Sequence, residues 1–134
     1  MRKLARESAF KIIYKSMFLV GDYTSEEILE EDKISSEEDV SFAKNIVSLY
    51  ENNQQEINNL INSNLTGYTP DRVYRIDRAI VCTALAEILF YKQTPFKVVV
   101  NEAIEMAKKY STEKSYSFVN GLLKKIIEGQ NVGV

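Results

Sequence analysis

The stretch that most constrains the fold runs from Asp71 to Tyr91, a segment without glycine or proline. Val73, Ile76, Ile80, Ala84 or Leu85, and Ile88 recur at helical spacing, and Ala79, Val81, Cys82, Leu89 and Phe90 widen the stripe. A helix apolar over so much of its surface has to be enclosed by others, so the spacing predicts a central helix in a bundle. Its start is polar, with Arg72, Arg75 and Arg78 three residues apart. A separate short helical turn is expected there, before the main helix begins near Asp77. Glu87 falls inside the apolar part, where an unpaired carboxylate is costly. A structural hydrogen bond or ion pair outweighs catalysis as its reading.

Four more helical segments surround this one. Over residues 3–20, Ala5, Ala9, Ile12, Ile13, Ser16, Met17 and Val20 form one stripe, and Gly21 is a stop signal. Lys3, Arg6 and Tyr14 fall largely off that stripe, and Lys11 and Lys15 lie on its outer surface. The basic face is either solvated or an RNA-backbone contact, because Lys and Arg neutralise phosphates and an aromatic ring stacks on a base. Ser35 and Glu38 have capping-box spacing and open a long helix that ends near Leu65, with an interruption around Glu51 to Gln54. Its Asn- and Gln-rich second half is a weak helix former that needs tertiary packing. After Thr94-Pro95, helices are expected near Lys97 to Tyr110 and over Ser115 to Glu128.

Two shorter features complete the pattern. Thr24 with Glu27 suggests a short helix over 24–31, anchored by Ile28 and Leu29. Gly67 ends the long helix, and Pro70 suits the first turn of the next. No strand is expected anywhere, despite the Val98–Val100 run. Asn101, Glu102, Asn120 and Gly121 read as polar clips and a close-packing point between the last two helices. The result is an all-α single domain spanning 1–134.

Composition removes most catalytic chemistry. With no histidine, Ser-His and Cys-His nucleophiles are excluded, and one cysteine cannot build a zinc cluster. No phosphate loop or dinucleotide fingerprint occurs. Only the carboxylates Glu87, Glu102 and Glu105 remain as acid–base candidates, and nothing in their spacing makes them face one another, so no enzyme and no cofactor is expected. Net charge is −2 but uneven. Residues 1–20 carry five basic side chains against one acidic, and residues 21–40 nine acidic against one basic. That argues against a generic nucleic-acid coat while leaving room for a local basic patch. No apolar run is long enough to span a bilayer, and Lys11 and Lys15 interrupt any signal-peptide core. With the lone cysteine, this points to the cytoplasm.

The assembled residues resemble the NusB family of transcription antitermination factors. The strongest similarity is VVVNEAIEMAKKYSTEKSYSFVNGLLKKI, with Asp77-Arg78-Ala79-Ile80 and the following Glu87 before it, and Ala5-Arg6-Glu7 to Tyr14 at the start. Residues 21–70 match only in helical pattern. The resemblance implies about seven helices in two small packed bundles and no catalysis. It implies binding of boxA-type single-stranded RNA of ribosomal RNA operons, together with the small-subunit ribosomal protein NusE, in the RNA polymerase elongation complex. RNA contacts carry over to Lys3 and Arg6 in the basic first helix, with Arg2 nearby, and to the turn Ser115, Tyr116, Ser117 and Phe118; Tyr14, off the first helix's stripe, is the candidate stacking ring from the pattern itself. The partner surface carries over to Asp77 and Arg78. Ser117 stands where the family often has a basic residue, so one phosphate contact is missing, and stacking by Tyr116 could compensate with about 1–3 kcal/mol per base. The family also suggests a homodimer that buries the RNA face.

Two rival readings follow. One is a helical protein-interaction module in ribosome assembly without RNA contact, favoured by the thin basic patch. The other is an RNA methyltransferase, to which NusB-like domains are also fused. The absence of a cofactor-binding βαβ unit gives that reading little support.

Overall fold

In the computed structural model, which describes residues 2–18, 28–29, 32–34 and 36–132, six α-helices follow one another without a strand among the described residues. They are α1 (Arg2–Ser16), α2 (Glu37–Asn52), α3 (Gln54–Ser63), α4 (Arg75–Leu85), α5 (Phe96–Tyr110) and α6 (Ser115–Gly129). The expected helix over 24–31 lies largely outside the described residues. Its two anchors, Ile28 and Leu29, are helical and buried.

α4 packs against all five other helices, as its wide apolar stripe requires. From Ala79 to Leu85 every side chain is buried. α1 pairs with α2 in one small bundle, and α5 and α6 pair in the other with α3 at its edge. α4 joins the two. Ile13 and Ile46 on one side and Leu123 and Ile126 on the other are among the largest fully buried side chains.

The helix ends follow from local chemistry. Ser36 caps α2, with its hydroxyl accepting the Asp39 N–H at 3.4 Å; the expected cap, Ser35, lies outside the described residues. The expected interruption is a break at Asn53, whose side-chain amide donates to the Leu49 carbonyl at 2.8 Å. In α3, Asn58, Asn59 and Asn62 weaken the helix by up to ~0.7 kcal/mol each relative to Ala. Full burial of Ile57 and Ile61, at about 1.5–3 kcal/mol per side chain, outweighs that. Arg78 adds hydrogen bonds to the Asn58 and Asn62 side chains at 2.9 and 2.8 Å. Pro70–Arg72 forms a single 3-10 turn before α4.

α4 does not end at Leu85 but widens into a π-helical turn, Ala86–Tyr91. Such turns re-aim side chains and are common at functional positions. Lys92 closes it in the left-handed region at φ 61°, its N–H donating to the Glu87 carbonyl at 3.0 Å.

The clip reading of the last two helices does not hold for Asn101 or Gly121. Asn101 and Gly121 are exposed, and a Cβ added at Gly121 would meet nothing within 4 Å. α5 and α6 pack on each other in the shared core, to which α5 gives Val99, Ala103 and Ala107 and α6 gives Val119, Leu123 and Ile126.

Candidate nucleic-acid interface

α1 carries more polar residues inward than its stripe suggests. Arg6, Glu7 and Ser8 are all buried. The Arg6 guanidinium donates to both Glu87 carboxylate oxygens, Nε to Oε1 and Nη2 to Oε2, each at 2.7 Å. Burial disfavours the Arg6 charge, but the hydrogen bonds and charge of Glu87 outweigh it and raise the pKa. Arg6 is therefore a structural clamp between α1 and the π turn. That corrects the expectation that it meets RNA, and it gives Glu87 the partner its burial demanded.

One turn earlier, Arg2 is exposed and lies over the Phe42 ring at 4.6 Å, donating to the Tyr91 hydroxyl at 3.2 Å. Lys3 is exposed. One turn later on the face of Lys3, Glu7 accepts from Lys109 at 2.8 Å and from the Tyr110 hydroxyl at 2.5 Å. Burial raises the Glu7 pKa, but these two donors overcome it and the net shift is downward. Lys11, bonded to Asp32 at 2.7 Å, lies 5.6 Å from the Tyr110 ring centre, and Lys109 lies 5.2 Å from the same ring. Lys108 sits over the Tyr116 ring at 5.4 Å. Lys3, Lys109, Lys108 and Tyr116 thus form a line of solvent-exposed groups from the first helix to the start of the last, with Lys109 shared with Glu7 and Lys108 3.8 Å from Glu105.

The turn between α5 and α6 is built on a buried carboxylate. Asp77 accepts from the Ser111 hydroxyl at 2.5 Å and from the Ser115 hydroxyl at 2.9 Å, and Thr112 meets Ser115 at 2.9 Å. Asp77 is 4% and Ser115 2% exposed, so both act by fixing the turn and not as contacts for RNA or a partner. Arg78 is likewise occupied by Asn58, Asn62 and the Pro70 carbonyl. Tyr116 and Ser117 face solvent, and Phe118 is half-buried, edge-to-face with Tyr68 at 5.3 Å. Tyr14 is half-buried in a ladder of rings, 6.2 Å from Phe10 and 5.1 Å from Phe18, with Arg75 over Phe18 at 4.8 Å.

The two candidate RNA surfaces do not face each other. The α1 start lies beside Tyr91, at the C-terminal end of the π turn, whereas the 111–115 turn lies beside Asp77 at the α4 start. At 1.5 Å rise per residue they are roughly 20 Å apart along α4. Sequence periodicity missed the residues that fill the gap. Lys108 and Lys109 look like ordinary basic residues at a helix end, and only the Glu7 contact reveals their place. Tyr68 also escaped, because it belongs to no helical stripe.

The NusB family model matches residues 3–128. The chain belongs to the NusB family. A transcription antitermination protein NusB of Finegoldia magna is 39% identical over 129 residues, covering 95% of this chain and 93% of the relative. That of Clostridium botulinum strain Alaska E43 is 36% identical, covering 95% and 98%. Among solved structures, T. maritima NusB superposes with a TM-score of 0.83 at 33% identity, covering 96% and 91%. A chain in the crystal structure of antitermination factors NusB and NusE with dsRNA gives 0.85 at 28% identity, covering 96% of each chain.

Proposed function

We infer that this chain is an RNA-binding transcription antitermination factor, acting as one helical domain in the cytoplasm and without catalysis. It binds boxA-type RNA of ribosomal RNA operons together with the ribosomal protein NusE, and the complex keeps RNA polymerase from terminating early. Family membership supports the class of function. The observation that carries it on this chain is the line of Lys3, Lys109, Lys108 and Tyr116, which combines phosphate-neutralising cations with an exposed ring. Arg2, Ser117 and Phe118 extend that line at its two ends. A single strand laid along it would be held by charge and stacking, the usual means for unpaired RNA. Asp77 supports this role from behind, by fixing the turn that presents Tyr116.

The test is a filter-binding titration with a boxA-type RNA and a scrambled one, each with and without NusE. Tighter binding of the boxA-type RNA is expected, most clearly with NusE present. Equal affinity for both RNAs in both settings would overturn the reading. The burial of Arg6 thins the basic patch and favours, as a second reading, an interaction module without RNA contact. RNA crosslinks to Tyr116 would exclude it.

A further inference from the structure

Next to the α5–α6 turn lies a cleft of about 570 Å3 that the line of cations does not use. Its walls include Tyr68, Tyr74 and Phe118, with Arg72 and Lys114 among its charged residues. Tyr68 is 52% and Tyr74 61% exposed. A ring whose only task was to pad Phe118 would be covered by it. The Tyr68–Phe118 contact is edge-to-face, with 66° between the planes. An edge-to-face pair covers one ring face of four, so a flat face stays open to solvent.

The loop that holds Tyr68 is fastened on both sides. Gly67 takes a left-handed conformation at φ 78°, which turns the chain before Tyr68 and which a side chain would strain. Lys125 donates to the Thr66 hydroxyl at 3.1 Å, and Arg78 to the Pro70 carbonyl at 3.3 Å. An exposed aromatic ring on a fastened loop is pre-organised, so little order is lost when something stacks on it. Of the two carboxylates lining the cleft, Asp77 is occupied by Ser111 and Ser115, which leaves Glu113 against two lining cations, Arg72 and Lys114. Flat apolar walls beside cations suit an unpaired nucleobase and its phosphate.

We propose that this cleft holds one base of the bound single-stranded RNA, with Tyr68 as its stacking platform. The proposal rests on the reading that the chain binds RNA, and it extends the contact beyond Tyr116 and Phe118 to the loop before α4. A protein side chain is the competing occupant, and the test separates the two.

The chain has no tryptophan, so Tyr68→Trp installs a single fluorophore in the cleft. Val98→Trp, at an exposed position near the α5 start, is the control. With a short labelled boxA-type RNA and NusE, Tyr68→Trp should be quenched on RNA addition and Val98→Trp should not. Tyr68→Trp should keep the wild-type affinity within about twofold, and Tyr68→Ala should lose roughly tenfold. Thermal unfolding of each variant confirms that it is folded. If wild-type protein binds the labelled RNA while Tyr68→Trp stays unquenched or Tyr68→Ala binds as tightly as wild type, the cleft is not a base site and the wider reading stands. Quenching by NusE alone, with no further change on adding RNA, assigns the cleft to the protein and overturns the proposal. If wild type binds no RNA at all, the wider reading itself fails.

Discussion

Arg6 and Glu87 meet through two parallel hydrogen bonds of 2.7 Å, although 81 residues separate them in the chain. Both side chains are almost wholly buried, at 8% and 1% exposure, so each is the other's main compensation, with Arg6 also 5.4 Å from the Phe42 ring centre. Removing one partner of such a pair usually costs about 3–5 kcal/mol, because the other charge is left unpaired. Arg6→Ala and Glu87→Ala should each lower the unfolding free energy from urea titration by that order. The double variant Arg6→Met with Glu87→Leu should recover most of the loss, since matched apolar replacements avoid the orphan charge. A double variant no more stable than the singles would show that the pair is not the source.

The same geometry separates Arg6 from RNA binding. Lys3→Ala and Lys108→Ala should each flatten the salt dependence of RNA affinity by about 0.7 in log–log slope, the value for one phosphate on a single strand. Arg6→Lys, measured at a temperature where it remains folded, should leave the slope unchanged.

Glu7 should give stability a pH dependence in acid. Despite burial, Lys109 and Tyr110 lower its native pKa below the ordinary 4.5. The stability it contributes is therefore fully present above pH 4.5 and lost as pH falls through the lower native value. Glu7→Gln should be less stable than wild type at pH 7, and denaturant curves of the two should converge in strong acid. A gap that stays constant across that range would rule out the carboxylate as its cause.

Asp77 accepts two hydroxyl donors, so Asp77→Ala leaves Ser111 and Ser115 without their acceptor. Ser111 and Ser115 keep each other at 2.8 Å, so the expected loss is that of two hydrogen bonds, about 0.5–1.5 kcal/mol each. RNA affinity should fall as well, because the turn that carries Tyr116 loses its anchor. Amide exchange at Thr112 to Ser115, compared with that in the core of α4, reports the loosening directly.

Gly121→Ala should stabilise the protein. The glycine lies within α6, is exposed, and has nothing within 4 Å of a built Cβ. Alanine is better in such a position by about 1 kcal/mol. An increase in thermal midpoint with unchanged RNA affinity is the expected pair of results. A destabilised variant would restore the close-approach role that the Asn-Gly pattern suggested.

Much of the fold is legible along the chain because helix periodicity is a local property. The stripe over Asp71–Tyr91 makes α4 central, and the polar interruption near Glu51 to Gln54 becomes the break at Asn53. The π turn is not legible, because an apolar stripe has the same composition whether the helix beneath it has α or π geometry.

The candidate site divides differently. Composition alone excluded histidine-dependent chemistry and left a basic first helix, and the sequence marked Glu87 as a carboxylate in need of a partner. Only the tertiary structure decided which residue met it, since Arg6 lies just beside the α1 stripe and its direction depends on a helix more than eighty positions away. Packing likewise moved Ser115, Asp77 and Arg78 from expected contacts to internal supports, and it joined Lys109 to Glu7 and Tyr68 to Phe118. One-dimensional spacing records which face of a helix a residue is on. Which partner waits on that face is fixed by how the helices cross.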